Sequence, residues 1–537
     1  MSILESFFYS SVTPDNKKQR GFLWLIFFLW LSIVIYEKAN HAIFRDETRA
    51  FSLATGAKNL SDLLKSLHNE GHPTLWYLLI DATHAIIPTP MALQVLSLTI
   101  AALAALAALL FLFYSPFSIT IKTMIISSQF FLFEYSVMSR NYGISMLLIF
   151  LFASLYEKCK EKGITLGLLL FLLANTNIPS VIPTCSALLF WSFDLQRTIN
   201  SKYLSSITRN FSLNALIACA GIFFAILTVY PTTNVMAPSE NYHANIMKII
   251  LASITQAGES LFLLVGNNDQ SKTGTILGSL LIFASTLGLY SNKGLFISSL
   301  LSAFLFSMFF LVIYPGDMRH QDIWLTYLIA SYWILFNKRK YQYAHSSFIQ
   351  HIGSAAFLIL LSLSIINSIR YSAMAYTNIP YSASQDLARL VSSNQSLQNA
   401  IITSDRDYLL DALPYYLTNP LYFPRERKFG KYFVTTKPNP HDHISLQSIL
   451  DEASILHRTY GRNIVILLGN HIDGKTPARI LFEGPYRTGD WTLAITPTQI
   501  QTFLRATKQI ASFRRAITNE AYDVYLFPRD ATEQQSH

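Results

Sequence analysis

Residues 75–88 read LWYLLIDATHAIIP, an apolar run of fourteen residues interrupted by Asp81 and His84. Whether this run crosses a membrane decides which side most of the polar chain lies on. A spanning helix needs ~20 predominantly apolar residues, and a run of ~10–14 is more often interfacial or re-entrant. The positive-inside rule gives an independent check, because lysine and arginine in short loops stay on the cytoplasmic side. With 75–88 left out of the count, Lys17, Lys18 and Arg20 face the cytoplasm. So do the lysines of 158–162, the arginines of 197–209, and Lys338, Arg339 and Lys340. Counting 75–88 as a span would send the last three clusters outside, so we read it as interfacial.

Longer apolar runs surround this segment, at 21–37, 91–114, 118–133, 142–157, 163–176, 179–193, 211–230, 274–290, 294–313, 322–336 and 352–370. They predict a polytopic α-helical membrane protein with about eleven transmembrane helices. Composition agrees: 51% of the 537 residues are hydrophobic and 14% are charged, where soluble domains run to about a quarter charged. The net charge of +9 lies largely in short loops between apolar runs. That is orientation signal and not a nucleic-acid footprint. The polar stretch 11–20 runs into 21–36 without a small-residue cleavage site, which reads as a retained first span. Cys159, Cys185 and Cys219 lie in or beside apolar stretches. They make no metal spacing and cannot staple the polar C-terminal part.

The N-terminus is then cytoplasmic. The outer side receives loops 38–90, 134–141, 231–273 and 314–321, together with the chain after about 371. Two parts follow: a membrane module over 1–370 and an extracytoplasmic domain over 371–537. In the second, β-rich runs at 400–403, 463–468 and 522–527 alternate with helical patterns at 446–458 and 498–512, the mark of a small α/β domain. It has no glycine-rich phosphate loop, and the chain has no internal repeat.

Nearly every unusual polar cluster falls on the outer side. Phe44-Arg45-Asp46-Glu47 follows the first span. Its carboxylates read as a solvated helix start, as a general base (Asp46) with its neighbour Glu47, or as ligands to a hard divalent cation. Glu70-Gly71-His72-Pro73 ends an amphipathic stretch that Ser61 can cap, and Pro73 holds His72 at a bend. His72 reads either as a hydrogen-bonded interfacial histidine or as a donor to phosphate. Glu134, Arg140 and Tyr142 share the next outer loop, where arginine beside tyrosine serves as an interfacial anchor or pairs with a lipid phosphate, Asp46 or Glu134. Arg319 and His320 sit in a short turn, 314–320, which reads as a phosphate-binding pair or as a plain turn with one snorkelling arginine. Loop 231–243, running into amphipathic 246–265, reads as a gate over a lipid-facing groove or as a plain surface helix.

Taken together, these residues resemble the GT-C superfamily of membrane glycosyltransferases. The nearer branch is that of the protein O-mannosyltransferases and the aminoarabinose transferases that modify lipid A. In that pattern the first outer loop opens with an Asp-Glu pair, matched by Asp46 and Glu47, and continues into a His-Pro-Pro-like element, matched by His72-Pro73-Thr74 with Leu75-Trp76-Tyr77 behind it. Thr74 replaces a second proline, and Glu134 and Arg140 stand where many members carry another Asp. The resemblance covers the chain to about residue 370. It implies a polyprenyl-phosphate sugar donor reached from within the membrane, and an acceptor that is a lipid, a glycan or a protein. Asp46 is then the base, with Glu47 beside it. Arg140, Arg319, His320 and His72 bind the donor phosphate, and Glu70, Glu134 and Tyr142 line the acceptor side. It requires no cofactor, and a divalent metal stays open. The bacterial inner membrane is the expected home, although an endoplasmic-reticulum membrane satisfies the same topology. A transporter or flippase, or a polymerase or ligase, of lipid-linked glycans is the alternative class. One-sided ionisable clusters without repeats favour an enzyme over the former.

Overall fold

The computed structural model describes residues 17–196, 204–230, 246–258, 272–313, 316–339, 347–377, 379–433, 443–473, 476, 478–483 and 490–528. Loop 231–243 and residues 259–265 of the stretch behind it lie outside the described residues.

The membrane part is a helix bundle. In chain order it contains α1 (Lys17–Asn40), α2 (Arg45–Gly56), α3 (Leu60–Ser66), α4 (Thr74–Ile86), α5 (Met91–Tyr114), α6 (Ile119–Ile126), α7 (Tyr142–Cys159) and α8 (Thr165–Ala174). There follow α9 (Val181–Gln196), α10 (Leu204–Val229), α11 (Ile246–Thr255), α12 (Lys272–Thr286), α13 (Lys293–Val312), α14 (Met318–Arg339) and α15 (Phe348–Tyr376). Among the described residues, eight helices are long and apolar enough to cross a membrane. This is a polytopic helical membrane protein.

Three of the eleven apolar runs take other forms, each for a physical reason. The run 118–133 breaks at Ser127-Ser128 into α6 and a π-helical turn, Phe130–Glu134. The run 163–176 gives only the ten residues of α8, which stop at Asn175, Thr176 and Asn177. The run 322–336 lies inside α14, whose 22 residues rise about 33 Å. Residues 318–336 of α14 are buried throughout, so other helices shield its polar groups from lipid. Segment 75–88 forms α4, whose 13 residues rise only about 20 Å, short of a ~30 Å hydrocarbon core. The cap of α3 is Asn59, whose side chain accepts from the Asp62 N–H at 3.0 Å, and not Ser61.

After α15 the chain builds an α/β unit. Its main sheet runs β1 (Ile401–Ser404), β5 (Ile464–Leu468), β9 (Tyr522–Phe527), β8 (Lys508–Phe513), with β1 and β5 parallel and the other pairs antiparallel. β2 (Tyr422–Phe423) pairs with β3 (Lys428–Phe429), and β4 (His443–Ser445), β7 (Asp490–Ala494) and β6 (Arg479–Glu483) form a third sheet. Helices α16 (Ser384–Ser393), α17 (Leu446–Tyr460) and α18 (Pro497–Ala506) accompany them. The pattern at 498–512 is helical only to Ala506. From Lys508 the chain is strand β8, because the helix ends at extended Thr507 and β9 offers an edge to pair with.

Buried polar contacts gather at the two ends of the bundle. At one end, Asp194 on α9 meets Lys338 of α14 and Lys160 (3.4 Å), just past α7. The other end of α7 and α14 is where Arg140 and Arg319 lie.

Candidate active site

Helix α2 begins where the chain leaves α1. Phe44 is extended at its N-cap, and Glu47 at the third helical position accepts the Phe44 N–H at 3.2 Å, half of a capping box. Glu47 is fully buried and also accepts from Ser139 N–H at 2.6 Å and meets His41 at 2.8 Å. Burial pushes its carboxyl up, but His41 and the two backbone N–H groups outweigh that and hold it below the usual range. Both oxygens are committed, so Glu47 holds α2 against the Ser139 turn and has little left for chemistry.

Asp46, one residue earlier, points the other way, with 25% of its side chain exposed. Arg319 Nη2 donates to Asp46 Oδ2, and Arg45 Nε lies 3.6 Å from Oδ1. Arg319 Nη1 donates to Asp317 Oδ2 at 2.8 Å, so this one guanidinium bridges two carboxylates. Arg140 donates to the backbone oxygen of Asp46 and to His72 Nε2. Since arginine can only donate, His72 Nε2 accepts. His72 therefore orients Arg140. Partial burial pushes the Asp46 carboxyl up, but Arg319, then Arg45, Arg140 and His320, hold it well below the usual range.

His320 Nδ1 accepts the Asp317 N–H at 2.9 Å, which puts its proton on Nε2. Burial, then Arg140, pushes His72 well below the ordinary imidazole value, and His320, accepting through Nδ1, is a neutral tautomer. Both rings are neutral, and the positive charge of the site rests on arginine alone. Tyr142 stands edge-on to both imidazoles, at 5.9 Å from His72 and 5.4 Å from His320, and stacks on Tyr135 at 5.8 Å. Tyr135 in turn donates to the Arg319 carbonyl at 2.8 Å.

Asp46, His72, Arg140, Tyr142, Arg319 and His320 thus form one connected group drawn from four separate stretches of chain. Glu134 and Glu70 take other places. Glu134 is buried at the end of the π turn. Glu70 accepts from Arg49 Nη2 at 2.7 Å and Nε at 3.0 Å, tying the loop before α4 to the middle of α2. Asp405 and Asp407 after β1 are fully buried, and Asp405 accepts from Gly469 N–H at 2.8 Å.

The residues do not fit a divalent cation at the Asp46-Glu47 pair. Guanidinium groups face the Asp46 carboxylate, and the oxygens of Glu47 are taken. Among the described residues, no three of His, Cys, Asp and Glu come together as a ligand set.

Sequence reading named neither Asp317 as a partner of Arg319 nor Arg45 as a partner of Asp46. The signal for both was present, since Arg45 adjoins Asp46 and Asp317 lies two residues before Arg319. No protein-family model matches this chain, and no curated protein matches it.

Proposed function

We propose that this protein is a GT-C-type membrane glycosyltransferase that moves a sugar from a polyprenyl-phosphate carrier to an acceptor on the non-cytoplasmic side. The observation that carries the reading is the placement of one partly exposed carboxylate, Asp46, against Arg319 and beside Arg140. Two fixed guanidiniums at the membrane end of a helix bundle match a lipid phosphate, which arginine can grip bidentately.

In this mechanism the acceptor hydroxyl or amine gives its proton to Asp46 as it attacks the anomeric carbon. The new bond forms as the bond from that carbon to the phosphate oxygen breaks, and the electron pair leaves with the phosphate. Arg319 and Arg140 hold the leaving anion, preorganised by Asp317 and His72. The neutral imidazoles add dipoles and no charge. A single displacement inverts the anomeric configuration, and a product of retained configuration refutes the scheme.

The finer topology belongs to the same proposal. It takes α6 with its π turn, α8 and α14 as crossings beside the eight long apolar helices, for about eleven. Support comes from Thr176, just past α8, whose carbonyl accepts from Asn141 at the site end, while Lys160 before α8 lies in the Asp194 cluster. We place this protein in the bacterial inner membrane, N-terminus inside.

The test is transfer or hydrolysis of radiolabelled sugar from a panel of polyprenyl-phosphate sugars, with detergent-purified wild type and Asp46→Asn side by side. General-base loss predicts a drop of about 10²–10⁴-fold in turnover, with donor binding kept. A normally active Asp46→Asn protein removes Asp46 as the base. If a folded wild type touches no donor, the transporter reading takes precedence.

A further inference from the structure

Helix α2 is held from outside the membrane part. Its first backbone N–H, on Arg45, donates to Glu520 Oε1 at 3.0 Å, across 475 residues of chain. A carboxylate at this position satisfies one of the N–H groups that a helix start leaves open and complements the helix dipole. Glu520 is 1% exposed, and its second oxygen accepts from Ser382 Oγ at 2.5 Å. The Arg45 guanidinium donates to Asn519 Oδ1 at 2.6 Å and lies 4.6 Å over the Tyr408 ring. Further along, Thr48 donates to the Asp411 carbonyl at 2.9 Å, and Arg49 donates to Asp411 Oδ2 at 3.3 Å and to the Phe433 carbonyl at 2.8 Å. Ahead of the helix, Tyr416 donates to the Ile43 carbonyl at 2.9 Å. The C-terminal unit therefore grips α2 before its start, at its first residue and one turn in, and Asp46 lies between those points.

We infer that Glu520 is a positioning residue for Asp46, so that the C-terminal domain sets the geometry of the chemical step. The inference rests on the glycosyltransferase reading above. A second consequence concerns charge. Arg45 Nε is 3.6 Å from Asp46 Oδ1 and 3.9 Å from Glu520 Oε1, so Glu520 shares the guanidinium that faces the base.

The experiment uses the full chain in detergent, with E520A and E520Q beside the wild type. Glutamine keeps an acceptor oxygen for the Arg45 N–H and offers its amide N–H to Ser382 Oγ, so it preserves the contact without the charge. The first readout is hydrogen exchange of the amides of residues 45–49, which needs no substrate. The expected result is faster exchange in E520A and near wild-type exchange in E520Q. The second readout is acceptor-independent hydrolysis of the polyprenyl-phosphate sugar that the wild type uses. Displacing a catalytic group by ~1 Å can cost about a hundredfold, so a loss of that order is expected in E520A, with the donor KM held and most of the rate restored in E520Q.

Wild-type exchange in E520A overturns the inference. So does full hydrolysis by E520A with only the acceptor KM raised, because Glu520 would then act on the acceptor. If the wild type hydrolyses no donor, the glycosyltransferase reading falls, and the exchange comparison alone upholds or overturns the contact.

Discussion

Asp46, the proposed base, is a carboxylate surrounded by cations, and this has an awkward consequence for that role. Arg319, Arg45 and Arg140 outweigh burial and hold it well below the usual range, which keeps it ionised but makes it a weak proton acceptor. An anionic donor phosphate between Arg319 and Arg140 would cancel part of that field and raise the Asp46 pKa when the base is needed. For stability the sign is fixed. A depressed carboxyl contributes stability that is present above its unfolded value of about 3.9 and is lost as pH falls through the folded value. For catalysis, the acid limb of kcat/KM, which reports the free protein, will lie lower than the acid limb of kcat, which reports the donor complex. A phosphodiester donor has no ionisation near neutrality to confuse the comparison. Coincident acid limbs would mean that the arginines stay on Asp46 throughout. Arg319→Lys sharpens the same point. One ammonium cannot bridge Asp46 and Asp317 as the planar fork does, so turnover will fall by about 10²–10³-fold, the usual cost of a lost charge-stabilising donor. A lysine variant with wild-type kcat would show that point charge alone suffices.

At the scale of elements, the sequence was readable where periodicity and burial coincide and misleading where tertiary contacts replace lipid. Helices α1, α5, α10, α13 and α15 face lipid on one side and read plainly as apolar runs. Helix α14 is less apolar because residues 318–336 are enclosed by the bundle. The break between α6 and the π turn, and the switch from α18 to β8, depend on partners that no local pattern encodes. The cluster at the far end of the bundle shows the same dependence. Asp194 joins Lys338 and Lys160, which Glu157 also meets at 3.7 and 2.8 Å, and it accepts from the Tyr156 hydroxyl at 2.9 Å, linking α7, α9 and α14. Breaking a buried ion pair costs about 3–5 kcal/mol, and removing Asp194, the less exposed of the two carboxylates, leaves both lysines to Glu157. Asp194→Asn will therefore lower the thermal midpoint of the solubilised protein more than Lys160→Met, which removes a more exposed and more replaceable charge. An equal effect from the two variants would deny Asp194 its role as the hub.

At the scale of the whole molecule, each cluster of the site was visible in the sequence, but their meeting was not. Asp46 and Arg319 are 273 positions apart, and nothing in Asn519-Glu520 marks it as a partner of α2. Their convergence follows from topology, because only an arrangement that sends α7 and α14 from the site end to the Asp194 end brings both groups together. Which end faces the cytoplasm is a separate matter, resting on the lysines and arginines beside Asp194 and on leaving α4 out of the crossings. That orientation can be tested directly in a chain whose Cys159, Cys185 and Cys219 are replaced by serine. Glu161, between α7 and α8, and Gln395, in the C-terminal domain, are both exposed to solvent. A single cysteine at Gln395 will react with a membrane-impermeant thiol reagent on spheroplasts, while one at Glu161 will react only after the membrane is opened. The reverse pattern would put Asp46 on the cytoplasmic side. Nucleotide sugars would then be within reach, and the case for a lipid-carried donor would lose its physical basis.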